Sequence, residues 1–179
     1  MTMQQRTLVS VAVAALLSVT SCAAPPPQPD AEAKAAVQAL IERAIDRRNH
    51  QVVSGFSSAK EDIGKDFVPE AVERIELEYQ KLHQRRDSIS PYGVLLTDSG
   101  SEMTIKKFTI TDAGANVEIS EQTQLEHGPV NGVQGPSEGY AYDQKVELSK
   151  SGEGWKIVSV SPLNPGKPYP TTVVDPDTL

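Results

Sequence analysis

The sequence has few cysteines, few aromatic residues and fewer basic than acidic residues, and each of these limits what the protein can be. It contains one cysteine, so no disulfide can form within the chain and its stability has to come from packing. Acidic residues outnumber basic ones by 24 to 17, and the resulting net charge of −7 disfavours nucleic acid as a partner. Aromatic residues make up only 5% of the chain, so Val, Ile and Leu must form most of the core.

Signals of catalysis or metal binding are also scarce. None of the three histidines, His50, His83 and His127, has a partner at metal-ligand spacing, such as a histidine or carboxylate at i+4 that points the same way, with a third ligand nearby. The chain has no nucleophile elbow, no phosphate-binding glycine loop and no catalytic-cysteine pattern. We therefore expect no metal and no cofactor. Whether the protein is an enzyme stays open at this point, and the sequence favours a non-enzyme.

The N-terminus has the order of a secretory signal peptide. Arg6 precedes an apolar run over residues 8–19, which at 12 residues is too short to cross a bilayer as a helix. The run ends in Val19-Thr-Ser-Cys22, which contains the chain's single cysteine. This ending resembles the lipobox of bacterial lipoproteins, in which the modified cysteine follows an aliphatic residue and two small ones.

The resemblance to lipoproteins implies how the chain reaches a membrane and stays there. Residues 1–21 are a signal peptide that is removed, a diacylglyceryl group is attached to the thiol of Cys22, and the new amino group often receives a further acyl chain such as palmitate. Two acyl chains give stable anchoring, whereas one gives only reversible binding. We therefore expect a lipid-anchored protein on the extracytoplasmic side of the cell membrane or of the outer membrane.

The rest of the chain divides into a tether, one domain and a tail. Residues 22–30 carry the lipidated cysteine and a proline-rich tether, residues 31–161 form the domain, and residues 162–179 are predicted to be an irregular C-terminal tail. Apolar residues at spacings of three and four predict one helix from residue 31 to about 50 and another from 69 to about 87. Between them, residues 52–67 are a short helix or a loop.

After residue 91 the pattern changes from helical to alternating. It predicts strands over residues 92–97, 103–111, 116–126, 140–150 and 155–161, with a bulge near Lys106 and Lys107 and a tight turn at Asn131-Gly132. Helices followed by such a series predict an α+β domain, with the helices packed on one face of an antiparallel sheet of four to five strands. The other face is expected to be solvated or covered by a partner.

This order of elements resembles the NTF2-like (cystatin-like) superfamily. The closing phrase Glu153-Gly-Trp-Lys-Ile-Val-Ser159 is similar to the last strand of many such bacterial domains. The resemblance implies a bent sheet that curls around the helices as a cone. The inward side chains expected to line a pocket in this cone are aromatic or polar: Tyr79, Tyr140, Tyr142, Gln144 and Trp155.

These residues support two functional hypotheses. Gln144 interrupts an apolar face and needs a hydrogen-bond partner if it is buried, while Asp143 points the other way and no inward histidine or carboxylate is expected. The favoured hypothesis is a non-catalytic binding module that docks an envelope protein or a second copy of itself on the solvated face of the sheet. The alternative is a small-molecule carrier or a minimal enzyme that uses the cone pocket.

Overall fold

A computed structural model of the chain describes residues 31–53, 60–111, 113–152 and 154–179. The predicted signal peptide, Cys22 and the tether lie outside these residues. Three helices precede four antiparallel strands, so the predicted α+β class is confirmed. In the described ranges, no helix is both long and apolar enough to cross a bilayer.

The helices bury one stripe each. They are α1 (Ala31–Val53), α2 (Lys60–Asp66) and α3 (Pro69–Ile89). Val37, Ile41 and Ala44 belong to the buried stripe of α1, whose spacing of three and four residues keeps them on one side of the helix. Helix α3 starts on a proline, which lacks only a backbone N–H that a first turn leaves unpaired. The ambiguous stretch over residues 52–67 thus contains a short helix, α2.

The sheet is a meander in the order β1-β2-β3-β4. Its strands are β1 (Leu96–Thr111), β2 (Gly114–His127), β3 (Ser137–Ser151) and β4 (Gly154–Pro162). The prediction of two separate strands over residues 92–97 and 103–111 is wrong, because one continuous strand runs through the polar stretch between them. Tyr92 lies in a 3₁₀ turn that ends on Gly93, whose φ of 76° suits glycine.

Two local features of the sheet were correctly predicted. The pairing of β1 with β2 shifts register between Ile105 and Lys107, which is the expected bulge. Asn131 and Gly132 both have positive φ, at 53° and 80°, and the flanking Val130 and Val133 exchange backbone hydrogen bonds of 2.9 and 3.1 Å. These angles are those of a tight hairpin turn, for which Asn-Gly is the preferred pair.

The two faces of the sheet differ sharply. In β2 the odd-numbered positions are buried against the helices, with Val117, Ile119 and Leu125 fully inaccessible, while Gln122 and Gln124 on the even positions are exposed. In β3 the even-numbered positions take the inward role, because antiparallel pairing places Gln144 opposite Ile119. The helices therefore cover one face, and the other face is open to solvent.

The C-terminal segment, residues 163–179, contains no strand and one short 3₁₀ turn, Pro176–Thr178, as an irregular tail is expected to. It nevertheless packs on the domain, where Thr172 and Val174 are buried. The guanidinium of Arg85 on α3 donates to the carbonyls of Pro170 at 3.4 Å and Val173 at 3.2 Å, and also to that of Thr171. The segment thus closes one side of the space between the helices and the sheet.

Candidate functional site

An arginine–glutamate ion pair lies inside the domain. Nη2 of Arg48 on α1 is 2.5 Å from Oε1 of Glu121 on β2, and the Glu121 side chain has no exposed surface. Arg48 follows Ala44 by one helical turn, and Glu121 continues the inward odd-numbered series of β2 after Ile119. The pairing of α1 against β2 therefore brings together two charges that are 73 residues apart in the chain.

The Glu121 carboxylate accepts hydrogen bonds from four side chains. Besides Arg48, the Thr123 hydroxyl donates to Oε1 at 2.6 Å, the Tyr140 hydroxyl donates to Oε1 at 2.9 Å, and the Gln144 amide donates to Oε2 at 2.6 Å. Burial acts to raise the pKa of Glu121, but the charge of Arg48 and these hydrogen bonds hold that pKa below its ordinary value. The carboxylate is consequently ionised and has its acceptor sites occupied.

The polar network continues to the neighbouring strand and to the tail. Two guanidinium nitrogens of Arg48 donate to Oδ1 of Asn49 at 3.0 and 3.1 Å, and the Asn49 amide donates to the Ser101 hydroxyl at 2.7 Å. At the other end, the Tyr140 hydroxyl is hydrogen-bonded to that of Thr172 in the C-terminal segment. One connected set of hydrogen bonds therefore joins α1, three strands and the segment that closes the domain.

A second ion cluster connects the first two helices. Asp66 at the end of α2 is fully buried, and its two carboxylate oxygens lie 2.7 Å from Arg43 and 3.0 Å from Arg47 on α1. Among the described residues, Asp66 and Glu121 are the two acidic residues classed as buried, and each is paired with arginine. The part of the chain that the structure describes contains no group of three or more His, Cys, Asp or Glu side chains that could hold a metal ion.

Beside the ion pair lies a small apolar cavity of about 60 Å³. Its walls come from α1, α3, strands β2 to β4 and the C-terminal segment, which contributes Tyr169, Val173 and Val174. The hydroxyls of Tyr79 and Tyr142, on side chains that are 5% and 7% exposed, have no hydrogen-bond partner among the described residues. Burial raises the pKa of Tyr142 to about 12 and also raises that of Tyr79, so both phenols are protonated.

The predicted pocket residues do not all meet. Tyr79, Tyr142 and Gln144 line the cavity, and Gln144, which is 2% exposed, has the partners that its burial requires. Tyr140 instead donates to Glu121, and Trp155 lies on β4 with its ring 5.3 Å from Nζ of Lys150, away from the cavity.

One expectation about polar residues was wrong. No inward carboxylate was expected, yet Glu121 is one; the signal was its odd-numbered position between Ile119 and Leu125 in β2. Of the histidines, His83 attaches α3 to α1, because its Nε2 lies 2.7 Å from Oε1 of the buried Gln51. Asp143 does point outward, where it pairs with Lys106 at 2.9 Å.

The chain resembles known proteins at the level of solved structures and not of families. No known family model matches the chain, and no curated protein matches it. Among solved structures, it is similar to the intermembrane space region of the chloroplast protein ARC6, with 15% sequence identity over 76% of this chain and 98% of that chain and a TM-score of 0.47. A similarity of that size has no bearing on function or partners.

Proposed function

We propose that this protein is a lipid-anchored extracytoplasmic lipoprotein whose domain binds a partner and does not catalyse a reaction. The claim that the domain is not catalytic rests on the hydrogen bonds and the pKa of Glu121. A general base needs a free lone pair near a substrate, and a general acid needs a raised pKa. Glu121 has four hydrogen-bond donors around it and a lowered pKa, so its place in the domain is structural.

The anchor follows from the N-terminal sequence. The apolar run of residues 8–19 ends at the lipobox-like Val19–Cys22, and the proline-rich tether then leads directly to the start of α1 at Ala31. The chain's charge of −7 gives no attraction to anionic lipid, so the lipid on Cys22 has to hold the protein on its membrane. The domain then lies on the extracytoplasmic side of the cell membrane or of the outer membrane.

The docking surface is a shallow hollow on the open face of the sheet. Gly100, Gly139 and Ala141 have almost no side chain, and Gln122 and Gln124 stand between them on β2 with exposed amides. Polar rims and exposed amides suit a partner bound through hydrogen bonds, either an envelope protein or a second copy of this chain.

Filling the hollow tests this proposal. In Ala141→Arg the long side chain occupies the hollow without touching the core, because Ala141 is exposed. Crosslinking of the membrane-bound protein is expected to give a specific product, either a homodimer or an adduct with one envelope protein, that Ala141→Arg abolishes. Val158→Arg, also at an exposed strand position, is the matched control and is expected to keep the product. An unchanged product in Ala141→Arg, or none in the wild type, would contradict the docking surface.

A second candidate function is a small-molecule carrier, and one observation favours it. Tyr79 and Tyr142 both line the cavity and have buried hydroxyls without partners among the described residues, whereas buried polar groups are nearly always hydrogen-bonded in folded proteins. A molecule bound in the cavity would provide an acceptor for these hydroxyls. This candidate is compatible with the anchor and with a non-catalytic Glu121.

A further inference from the structure

We propose that the cavity binds a neutral, mainly apolar molecule that carries one oxygen acceptor, such as a ketone. The inference rests on the carrier candidate and names its ligand class. Three properties of the cavity lead to it: the apolar walls, the unpaired tyrosine hydroxyls and the balance of charge around them.

The walls select an apolar body. The largest part of the lining consists of aliphatic side chains contributed by the helices and the sheet, among them Ile41, Ile45, Ile119, Val146 and Ile157. Transfer of a hydrocarbon from water to such surroundings is favourable in proportion to the area buried. The walls alone would accept any small hydrocarbon and would not distinguish one from another.

The hydroxyls of Tyr79 and Tyr142 provide the distinction. Each phenol is protonated and can donate one hydrogen bond, and neither has an acceptor among the described residues. Burial of a hydroxyl without a partner is unfavourable, so a ligand that brings an oxygen acceptor into the cavity relieves that cost. A ligand with a carbonyl oxygen therefore gains over a hydrocarbon of the same length.

The charges around the cavity exclude an ionic ligand. Arg48, which lines the cavity, is neutralised by Glu121, and the one acid among the described lining residues, Glu78, pairs with Arg74 one turn before it on α3. A carboxylate ligand would have to take Arg48 from Glu121 and leave that carboxylate buried without its counter-ion. A cation would find no free acid. The binding site therefore selects neutral molecules.

The size of the cavity involves the C-terminal segment in binding. A volume of about 60 Å³ holds a few water molecules, and a larger ligand needs Tyr169, Val173 and Val174 to move outward. The carbonyls around these residues are held by Arg85. A closed segment lowers the apparent affinity, because only the open fraction of molecules is able to bind. Arg85→Ala should therefore strengthen binding.

The test is a titration of the full chain carrying Cys22→Ser with 2-heptanone, heptane and heptanoate, followed by backbone-amide NMR. We expect 2-heptanone to bind most tightly, with shifts at the amides of α3 and β3 around Tyr79 and Tyr142. The double variant Tyr79→Phe/Tyr142→Phe should bind 2-heptanone about tenfold more weakly, the equivalent of one lost hydrogen bond, and heptane unchanged. Arg85→Ala should bind 2-heptanone more tightly than the parent chain does.

A stability measurement on the same variants separates a binding role from a packing role. Removal of two unpaired buried hydroxyls should raise the melting temperature of the double variant by about 2–4 °C. Tyr92→Phe, at an 85% exposed position, is the control and should change neither melting nor affinity.

The inference is overturned if heptane binds as well as 2-heptanone, if heptanoate binds best, or if the double variant keeps the affinity of the parent for the ketone. Failure of all three probes to bind also overturns it. None of these results touches the docking surface, whose own test is the loss of the crosslinked product in Ala141→Arg. The two proposals therefore fail separately.

Discussion

The central feature at the residue scale is the buried ion pair of Arg48 and Glu121, whose burial is unfavourable and is offset by hydrogen bonds from neighbouring side chains. Taking Glu121 out of water is unfavourable by several kcal/mol, and that cost is offset only where a counter-ion and further donors surround it. Arg48, Thr123, Tyr140 and Gln144 provide them. Each of these residues therefore supports the others, and removal of one leaves a buried polar group without its partner.

Glu121→Gln should expose this dependence. The amide keeps the shape of the side chain but leaves Arg48 charged and without its counter-ion, which is expected to lower the free energy of unfolding by about 3–5 kcal/mol. Urea denaturation measures the loss. Glu102→Gln on the exposed face of β1 is the control and should stay within about 0.5 kcal/mol of the wild type. The double variant Arg48→Met/Glu121→Leu removes both charges and should recover the part of the loss that comes from the unpaired arginine, although Tyr140 and Gln144 still lack Glu121 as an acceptor. No recovery at all would mean that the unpaired charge is not the cause.

The pH dependence of the same comparison has a defined sign. The folded-state pKa of Glu121 lies below its ordinary value of 4.5, so its ionisation stabilises the fold fully above that pH, and this contribution is lost as the pH falls through the folded-state pKa. The stability difference between wild type and Glu121→Gln should accordingly be constant above about pH 5.5 and shrink on acidification below 4.5. A difference that grows on acidification would contradict the lowered pKa.

The burial of these residues was predictable from the local sequence, whereas their pairing with residues far away in the chain was not. The burial of Gln144 and its need for a partner followed from the alternation of β3 alone. Glu121 was equally readable from the odd positions of β2, and it was missed because a polar stretch, Ser120 to Gln124, masks the alternation there. Its pairing with Arg48 could not be read, since nothing local links residues 73 apart.

At the scale of elements, the C-terminal segment has the least regular structure of the described parts. Specific hydrogen bonds nevertheless attach it to the rest of the domain. Its 17 residues beyond Pro162 are held by Arg85 through three carbonyls and by the Tyr140–Thr172 hydrogen bond. Val174 is the apolar anchor in the core. An irregular segment with few attachments opens locally at a lower free energy than the helices and strands.

Arg85→Ala should loosen this segment alone. Hydrogen–deuterium exchange is expected to speed up at least tenfold at the amides of residues 171–175, with the protection of β2 and β3 unchanged, because the lost donor contacts the segment and no strand. Arg86→Ala is the matched control on the same helix, since Arg86 pairs with the exposed Asp87 at 3.2 Å. Equal exchange in both variants would show that Arg85 does not hold the segment.

The elements themselves were predictable where one face is buried and the pattern is therefore regular. Helices α1 and α3 and strands β2 to β4 were located to within a few residues of their observed bounds. Strand β1 was divided in two because Asp98 to Glu102 contains no apolar residue. That stretch is nonetheless a strand, since β2 supplies its hydrogen-bond partners, and such tertiary pairing leaves no mark in a local sequence.

At the scale of the whole molecule, the domain has a closed interior and a polar exterior, and we propose that a lipid on Cys22 anchors it. Its buried acids are paired with arginines, its open face has exposed amides, and the net charge of the chain is −7. The fold class was predictable from the order of the elements. A partner could not be predicted, because its identity depends on the surface of another molecule, which this sequence does not contain.

The intact mass of the protein extracted from the membrane fraction distinguishes a lipid-anchored protein from an unmodified chain. We expect a polypeptide that starts at Cys22 and carries the added mass of a diacylglyceryl group, with or without one further acyl chain. In Cys22→Ala we expect residues 1–21 to stay attached and no lipid to be added. A membrane-bound wild-type chain that retains residues 1–21 with an unmodified Cys22 would contradict the lipid anchor.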